Sequence, residues 1–274
     1  MKNICHDLTV GIPFHGGTKA SQLEEAIQSI LNQTLVAAKC HLIQNGTVPE
    51  KILLIAKGYE VSHPSEIEHI FVAKRGLAAA LNQSIKQCTT RYYARMDSDD
   101  VALPHRFEMQ IKYLEAHGDV NILGSWAKEF TSADGIEKAL LKQMPTDPQE
   151  MKNWFHYRNP LIHSTVMFQT RVFDDIGYYD ETYLTDQDLQ LWGRAITNNE
   201  TMANIPEALI YFRTDNIIGR RSHIKAVWRQ AKARFSVRTW SIKYNFLKIG
   251  ALSFRLMPEF VQRYGYKNFR SPGS

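Results

Sequence analysis

Four times in its first hundred residues the chain runs a short apolar stretch into a polar turn, and this recurrence constrains the fold more than any other feature. Leu8-Thr9-Val10-Gly11-Ile12 ends at Pro13 and leads into His15-Gly16-Gly17-Thr18. Cys40-His41-Leu42-Ile43 meets Asn45-Gly46, His69 to Val72 precedes a helix starting at Gly76, and Tyr92 to Met96 runs into an acidic cluster. Such runs read as buried strands. Between the first two, Leu23, Ala26, Ile27, Ile30 and Leu31 recur at helical spacing behind Ser21, expected as the N-cap. Later come a helix from Pro104 to His117 and strands at Val120–Gly124 and Ala208–Phe212. Strand-helix alternation predicts an α/β fold, a mostly parallel sheet covered by helices. In open sheets of this kind ligands gather beyond the carboxyl ends of the strands. The turns at Pro13-Phe14, Gln44-Asn45, Lys74-Arg75 and Asp97 to Asp100 are therefore expected to converge.

The pattern changes after residue 216. Residues 219–274 hold 13 Lys and Arg against the single acid Glu259, whereas the rest of the chain holds 20 basic and 27 acidic residues. Trp228, Ala231, Phe235 and Ile242 are expected on one face of a basic amphipathic helix, and Pro258 to interrupt the next. We read residues 1–216 as a catalytic domain and 217–274 as a helical C-terminal extension. A basic amphipathic tail suits an anionic membrane surface; a helical cap on the sheet or an oligomer contact is the plainer reading. Trp228, Phe235, Trp240 and Tyr244 among cations also raise nucleic-acid binding, but no such motif is present and the acidic body opposes it, so no nucleic acid is expected. Three dispersed cysteines (Cys5, Cys40, Cys88), no signal-like start and no apolar stretch of membrane-spanning length point to a cytoplasmic protein, peripheral at the inner face of the membrane.

Asp97-Ser98-Asp99-Asp100 puts three carboxylates at a predicted strand end. Unpaired, they repel one another, and carboxylate oxygens suit Mg²⁺ or Mn²⁺. A solvated turn, or a helix N-terminus served by Asp100, is the alternative. A nucleotidyltransferase would also need paired acids, but typically opens with a glycine-rich basic loop, and here that place holds Pro13-Phe14-His15-Gly16-Gly17.

The cluster lies within an ordered series of blocks: Leu8 to Phe14, Ser29 to Thr34, Lys74 to Asn82, Arg95 to Asp100, Pro104 to Gln110, Gly124-Ser125, Asn159 to Phe168, Gly177 to Asp180, and Asp186-Gln187-Asp188-Leu189-Gln190-Leu191-Trp192. In that order the blocks resemble the family 2 glycosyltransferases of GT-A fold, over roughly the first four-fifths of the chain. The resemblance implies an inverting enzyme that moves a sugar from a nucleotide-diphosphate sugar to a glycan or lipid-linked acceptor in bacterial surface polysaccharide synthesis.

It also implies roles. Asp99 would coordinate Mn²⁺ or Mg²⁺, and Asp97 would hold the donor ribose or assist at the metal, with Ser98 between them. Asp188 would be the general base, with Asp186 able to substitute, Gln187 standing where relatives often have Glu, and Trp192 nearby. Pro13 and Phe14 would line the nucleobase pocket. Gln44-Asn45 replaces an acidic pair common in relatives; an amide oxygen can still accept from a uracil imide, so a UDP-sugar is favoured, with thymidine or guanosine donors open. Arg75 and Asn82 fall with the donor-binding residues, His163 on the acceptor side, and Arg213 with Arg220-Arg221 toward the diphosphate. Each also has a plainer reading as packing, turn, cap or solvated surface.

Overall fold

The computed structural model describes residues 3–74, 76–215, 224–258, 260–262 and 265. The chain runs β1 (Asn3–His15), α1 (Ala20–Leu31), β2 (Leu35–Asn45), α2 (Glu50–Ser62), β3 (Ile67–Val72), α3 (Leu77–Gln87) and β4 (Tyr92–Arg95). After the short β5 (Val101–Ala102) come α4 (Arg106–Ala116), β6 (Val120–Phe130), β7 (Leu140–Lys142), α5 (Pro148–Phe155), β8 (Met167–Gln169), α6 (Val172–Ile176), α7 (Gln187–Thr197) and β9 (Thr201–Arg213). Two helices close the chain, α8 (Ile224–Ser236) and α9 (Ile242–Arg255).

One sheet organises these elements in the order β3-β2-β1-β4-β8-β6-β9-β5, with β7 on β6. The first four strands in that order are parallel, as expected for βαβ units. β8 then runs antiparallel to both β4 and β6, and joins this block to the parallel β6–β9 pair. Within the parallel block, β4 and the C-terminal halves of β1 and β2 are buried on both faces, while the edge strand β3 mixes buried and exposed residues. α1 covers one face with Leu23, Ala26, Ile27, Ile30 and Leu31, and each fully buried Leu or Ile contributes about 1.5–3 kcal/mol. On another part of the sheet, Trp192 of α7 packs with Phe155, Phe168 and Phe173, joined by Ala233 from α8 and by Val237 just beyond its end.

Several local expectations shift. β1 does not stop at Pro13 but continues to His15, and Pro13 pairs with Ile43. The missing N–H is tolerated because β4 pairs with β1 only as far as Gly11, which leaves that edge unladdered at Pro13. Lys19, not Ser21, is the N-cap of α1, and Ser21 lies inside the first turn. α4 starts at Arg106, two residues beyond Pro104. The single basic helix read through Trp228 to Ile242 is two helices, because 237–241 break it and Ser241 caps α9 by accepting from Tyr244 N. Pro258 lies beyond the end of α9.

Candidate active site

The parallel register brings the four turns to one edge of the sheet. Phe14 and His15 pair with Gln44 and Asn45, which pair in turn with Phe71 and Val72. Gly46 N donates to the Val72 carbonyl, and Asn45 Oδ1 accepts from Gly76 N at 3.1 Å, which ties the second turn to the third. Gly76 adopts φ 130°, a conformation that favours glycine, and it starts α3 there. The Thr18 and Ser98 hydroxyls, 3.4 Å apart, join the first turn to the acidic loop.

The acidic loop leaves β4 after Arg95 and is braced by three arginines. Arg95 is fully buried and forks both guanidinium nitrogens onto Asp97, with Nη1 2.8 Å from Oδ2. Burial works against the Arg95 charge, but Asp97, with Tyr179, more than restores it. Arg106, buried in α4, donates to the Arg95 carbonyl at 2.7 Å and to Gln110 Oε1 at 3.1 Å. Burial and the neighbouring Arg95 pull its pKa down to about 9. Arg213 closes the loop from the end of β9: its backbone N–H donates to Asp100 Oδ1 and its Nε to the Asp99 carbonyl, both at 2.8 Å. Its remaining nitrogens reach Ser132 and Glu25, and the guanidinium lies over the Phe130 ring. Expected to reach a diphosphate, Arg213 is instead occupied in shaping the loop.

Carboxylate oxygens of Asp97, Asp99 and Asp100 come within 4.8 Å of one another. Asp100 is only 1% exposed, and burial, then the charges of Asp97 and Asp99, raise its pKa well above the usual carboxylate value. Its Oδ2 is buried and makes no hydrogen bond of good geometry among the described residues, although the Ser164 hydroxyl lies beside the carboxylate and lowers its pKa. Hard oxygen donors at this spacing, one of them buried and orphaned, fit a divalent cation. The resemblance names only Asp99 and Asp97 for the metal, with a helix N-terminus as the alternative role of Asp100; the sequence cannot show that Asp100 turns inward to the other two.

Asp188 sits in the first turn of α7, where the helix N-terminus favours a carboxylate, and accepts from Asn159 Nδ2 at 2.6 Å. The segment from Asn159 to Thr165 runs back to the sheet, where Val166 O accepts from Arg95 N. Within it, the His163 ring bonds the Tyr179 hydroxyl at 2.7 Å and meets Trp192 edge-on. Burial, then Arg95, lowers the His163 pKa well below 6.5. Residues 159–166 thus link Asp188, at Asn159, to Arg95, at Val166, and Arg95 in turn holds Asp97 of the triad. Asn159 and Arg95 both lay within recognised blocks, but nothing local marked either as a partner of a site carboxylate.

Other expected site residues have structural employment. Phe14, read as a stacking surface, is a core residue whose ring stacks on His69 at 6.0 Å. Gln44 is engaged at both ends of its amide, accepting from His69 Nε2 and donating to the Gly46 carbonyl, each at 3.0 Å. Asn82 clasps the Tyr179 backbone through both its oxygen and its nitrogen. Lys74 pairs with Glu181. Trp192 is fully buried. Asp186, just before α7, accepts from Arg255 Nη2 at 3.3 Å and Gln230 Nε2 at 3.5 Å instead of facing the acceptor side alone. Arg75, Arg220 and Arg221 lie outside the described residues.

Comparison with known proteins identifies the family and the fold. The chain is 30% identical over 267 residues to the amylovoran biosynthesis glycosyltransferase AmsE of Erwinia amylovora, covering 96% of this chain and 98% of that one. It is 30% identical over 251 residues to an Escherichia coli UDP-Gal:alpha-D-GlcNAc-diphosphoundecaprenol beta-1,3-galactosyltransferase, covering 89% and 90% of the two chains. In fold it is similar to S. aureus TarS in complex with UDP-GlcNAc, at a TM-score of 0.66 and 14% identity over 95% of this chain and 75% of that one. It is also similar to the mannosyltransferase PcManGT of Pyrobaculum calidifontis in complex with GDP-Man and Mn²⁺, at 0.59 and 13% over 94% and 82%. The family model for Glycosyl transferase family 2 matches residues 9–177, more than half of the chain and all of the acidic loop, so this protein belongs to glycosyltransferase family 2.

Proposed function

We propose that the enzyme transfers a sugar, with inversion, from a nucleotide-diphosphate sugar to a hydroxyl of a glycan or lipid-linked acceptor in surface polysaccharide synthesis. The observation that carries this reading is the carboxylate triad within 4.8 Å, linked through Arg95 and residues 159–166 to the separately held Asp188. Asp97, Asp99 and Asp100 would hold Mn²⁺ or Mg²⁺, which when bound offsets the negative charge that builds on the departing diphosphate. Arg95 and Arg213 fix the loop so that these oxygens need no reorganisation. Asp188, oriented by Asn159, takes the proton of the acceptor hydroxyl as its oxygen attacks the anomeric carbon. One displacement from the side opposite the diphosphate inverts the centre.

A UDP-sugar is favoured by the UDP-Gal of the E. coli relative's name and the UDP-GlcNAc of the TarS complex; the GDP-Man of PcManGT keeps guanosine in the test. The test is a melting panel of nucleoside diphosphates with and without Mn²⁺. One base should give a metal-dependent rise, and no response from any of them would refute the donor reading. Product anomeric configuration, read by NMR, tests inversion.

For the C-terminal helices we favour an anionic membrane surface. No described helix is long and apolar enough to cross a membrane. Ile242, Phe246 and Ile249 form an exposed stripe on α9, with Trp228 and Trp240 also exposed, and Lys232, Arg238 and Lys243 lie exposed among them. Residues 224–258 contain no acid to oppose anionic headgroups. On this reading the enzyme works at the inner face of the cell membrane, where a lipid-linked acceptor would lie. Sedimentation with phosphatidylglycerol vesicles but not phosphatidylcholine vesicles, lost in Trp228→Ser/Trp240→Ser, is expected; equal sedimentation of that variant would refute it.

A further inference from the structure

We propose that the C-terminal helical pair is part of the catalytic apparatus, with Arg255, Gln230 and Arg234 as positioning residues that hold Asp188 and its partner Asn159 in register. This rests on the reading of Asp188 as the base. The pair holds the two segments that carry the base and its partner, through Asp186 and through the Phe155 and Arg158 carbonyls.

The first grip is on the start of α7. Asp186 takes a left-handed backbone (φ 59°, ψ 21°), tolerable for Asp but unfavourable relative to glycine, and makes no side-chain cap to its own helix. Its carboxylate instead accepts from Gln230 of α8 and Arg255 at the end of α9. The side chains of Arg255 and Asp186 are only 17% and 13% exposed, so the pair is largely withdrawn from water. Asp186 stands two residues before Asp188, so fixing its backbone fixes where the first turn of α7 begins.

The second grip is on the segment that carries Asn159. Arg234 of α8 is buried and donates to the Phe155 carbonyl at the end of α5, with the Arg158 carbonyl 3.4 Å away. Arg158 immediately precedes Asn159. Burial and the charge of Arg255 pull the Arg234 pKa down to about 9, while Asp186 and Asp188 push it back. Gly193 allows α8 this close: a Cβ there would stand 3.2 Å from Ser236 Oγ and 3.5 Å from the Ala233 carbonyl.

Simple docking does not require this arrangement. Ala233 of α8 and Val237 just after it already anchor the helix in the core around Trp192. A buried guanidinium costs several kcal/mol in desolvation, and apolar replacements of buried ion pairs are often neutral or stabilising. Charges aimed at both ends of the Asp188–Asn159 contact are explained by orientation, since a misplacement of about 1 Å can cost about 100-fold in rate.

The test uses the full chain and four variants: Arg255→Ala, Arg255→Lys, Asp186→Asn and Asp188→Asn. Hydrolysis of the donor selected by the nucleotide panel, with water in place of the acceptor hydroxyl, gives kcat and KM, and amide hydrogen exchange reads 187–190 and 155–159. Arg255→Ala and Asp186→Asn should lower kcat about 10- to 100-fold, leave donor KM within about twofold, and speed exchange in those two segments while β1 to β4 stay protected. Arg255→Lys should restore part of the rate, which a general packing defect would not allow. If Arg255→Ala does not fold, the near-isosteric Asp186→Asn carries the measurement. Unchanged kcat and unchanged exchange in folded Asp186→Asn overturn the proposal, as does a rise in KM alone. Retained turnover in Asp188→Asn would instead overturn the assignment of the base, whatever the other variants do.

Discussion

Replacing Asp100 with Asn should make the metal-free protein more stable while removing its response to Mn²⁺. Two unit charges 4.8 Å apart, the outer limit of the triad's spacing, repel by about 3.5 kcal/mol at an effective dielectric near 20. Arg95 neutralises much of Asp97, and Asp99 is half-exposed, so only part of that repulsion is felt at Asp100. The buried, unpartnered Oδ2 adds a desolvation cost of about 1–3 kcal/mol. Asn removes the charge, presents an N–H₂ donor toward two carboxylates, and can keep the bond from Arg213 N through its own oxygen. A gain of about 1–3 kcal/mol follows, which at about 2–4 °C per kcal/mol is a rise of several degrees in Tm.

The assay is a thermal melt of wild type and Asp100→Asn with EDTA, with Mn²⁺, and with Mn²⁺ plus the nucleoside diphosphate chosen by the panel. The variant should start higher, and the wild type should gain on adding metal and nucleotide while the variant does not. A variant that melts lower without metal, yet keeps the full Mn²⁺ response, would show that Asp100 is a structural acid and that the triad reasoning is wrong.

Three further outcomes follow from single contacts. Asn159→Ala removes the 2.6 Å donor to Asp188 and should lower kcat about 10-fold with donor KM unchanged in steady-state assays; an effect confined to KM would contradict the orienting role. Phe14→Ala should cost about 3–5 kcal/mol in urea unfolding, because the ring is fully buried; unaltered stability with weakened nucleotide binding would return Phe14 to a base-stacking role. Burial, with Lys248 and Arg234, holds the His156 pKa near 4. An unfolded chain binds that proton near pH 6.5, so this contribution is complete above about 6.5 and is lost as pH falls toward 4. His156→Gln should therefore flatten the fall of Tm over that range.

The sequence made the parallel block legible because each of its strands is a buried run closed by a polar turn, and the four turns meet where that pattern places them. Features set by distant partners were hidden. Pro13 looked like a strand end, since nothing local says that β4 has already left its side of β1. Phe14 looked available to a ligand until His69, on a strand two positions away in the sheet, covered it. Asp186 and Asp188 read as interchangeable acids two residues apart. The structure separates them by backbone: Asp188 lies within the helix, while Asp186 stands outside it in a left-handed conformation, facing residues 44 and 69 positions later. Val227 and Ala233 are buried on a side of α8 different from the Trp228, Phe235 face that the sequence emphasised, and Val237 is buried just past its end, so α8 has a core side as well as the exposed one.

The braces around the acidic loop follow from one physical difficulty. A site that must grip a cation has to hold carboxylates together before the cation arrives, and their repulsion then acts against the fold. Arg95 offsets Asp97 from beneath, Arg106 fixes the strand end through the Arg95 carbonyl, and Arg213 accommodates the loop by donating to an Asp100 oxygen and the Asp99 backbone. None of these contacts satisfies Asp100 Oδ2. The arginines therefore stabilise the shape of the loop without cancelling its charge, and the uncancelled part is what a divalent ion would use. If the braces instead neutralised the triad completely, the loop would be more stable and would bind metal poorly, so incomplete compensation at Asp100 is the feature that a gain of stability in Asp100→Asn would expose.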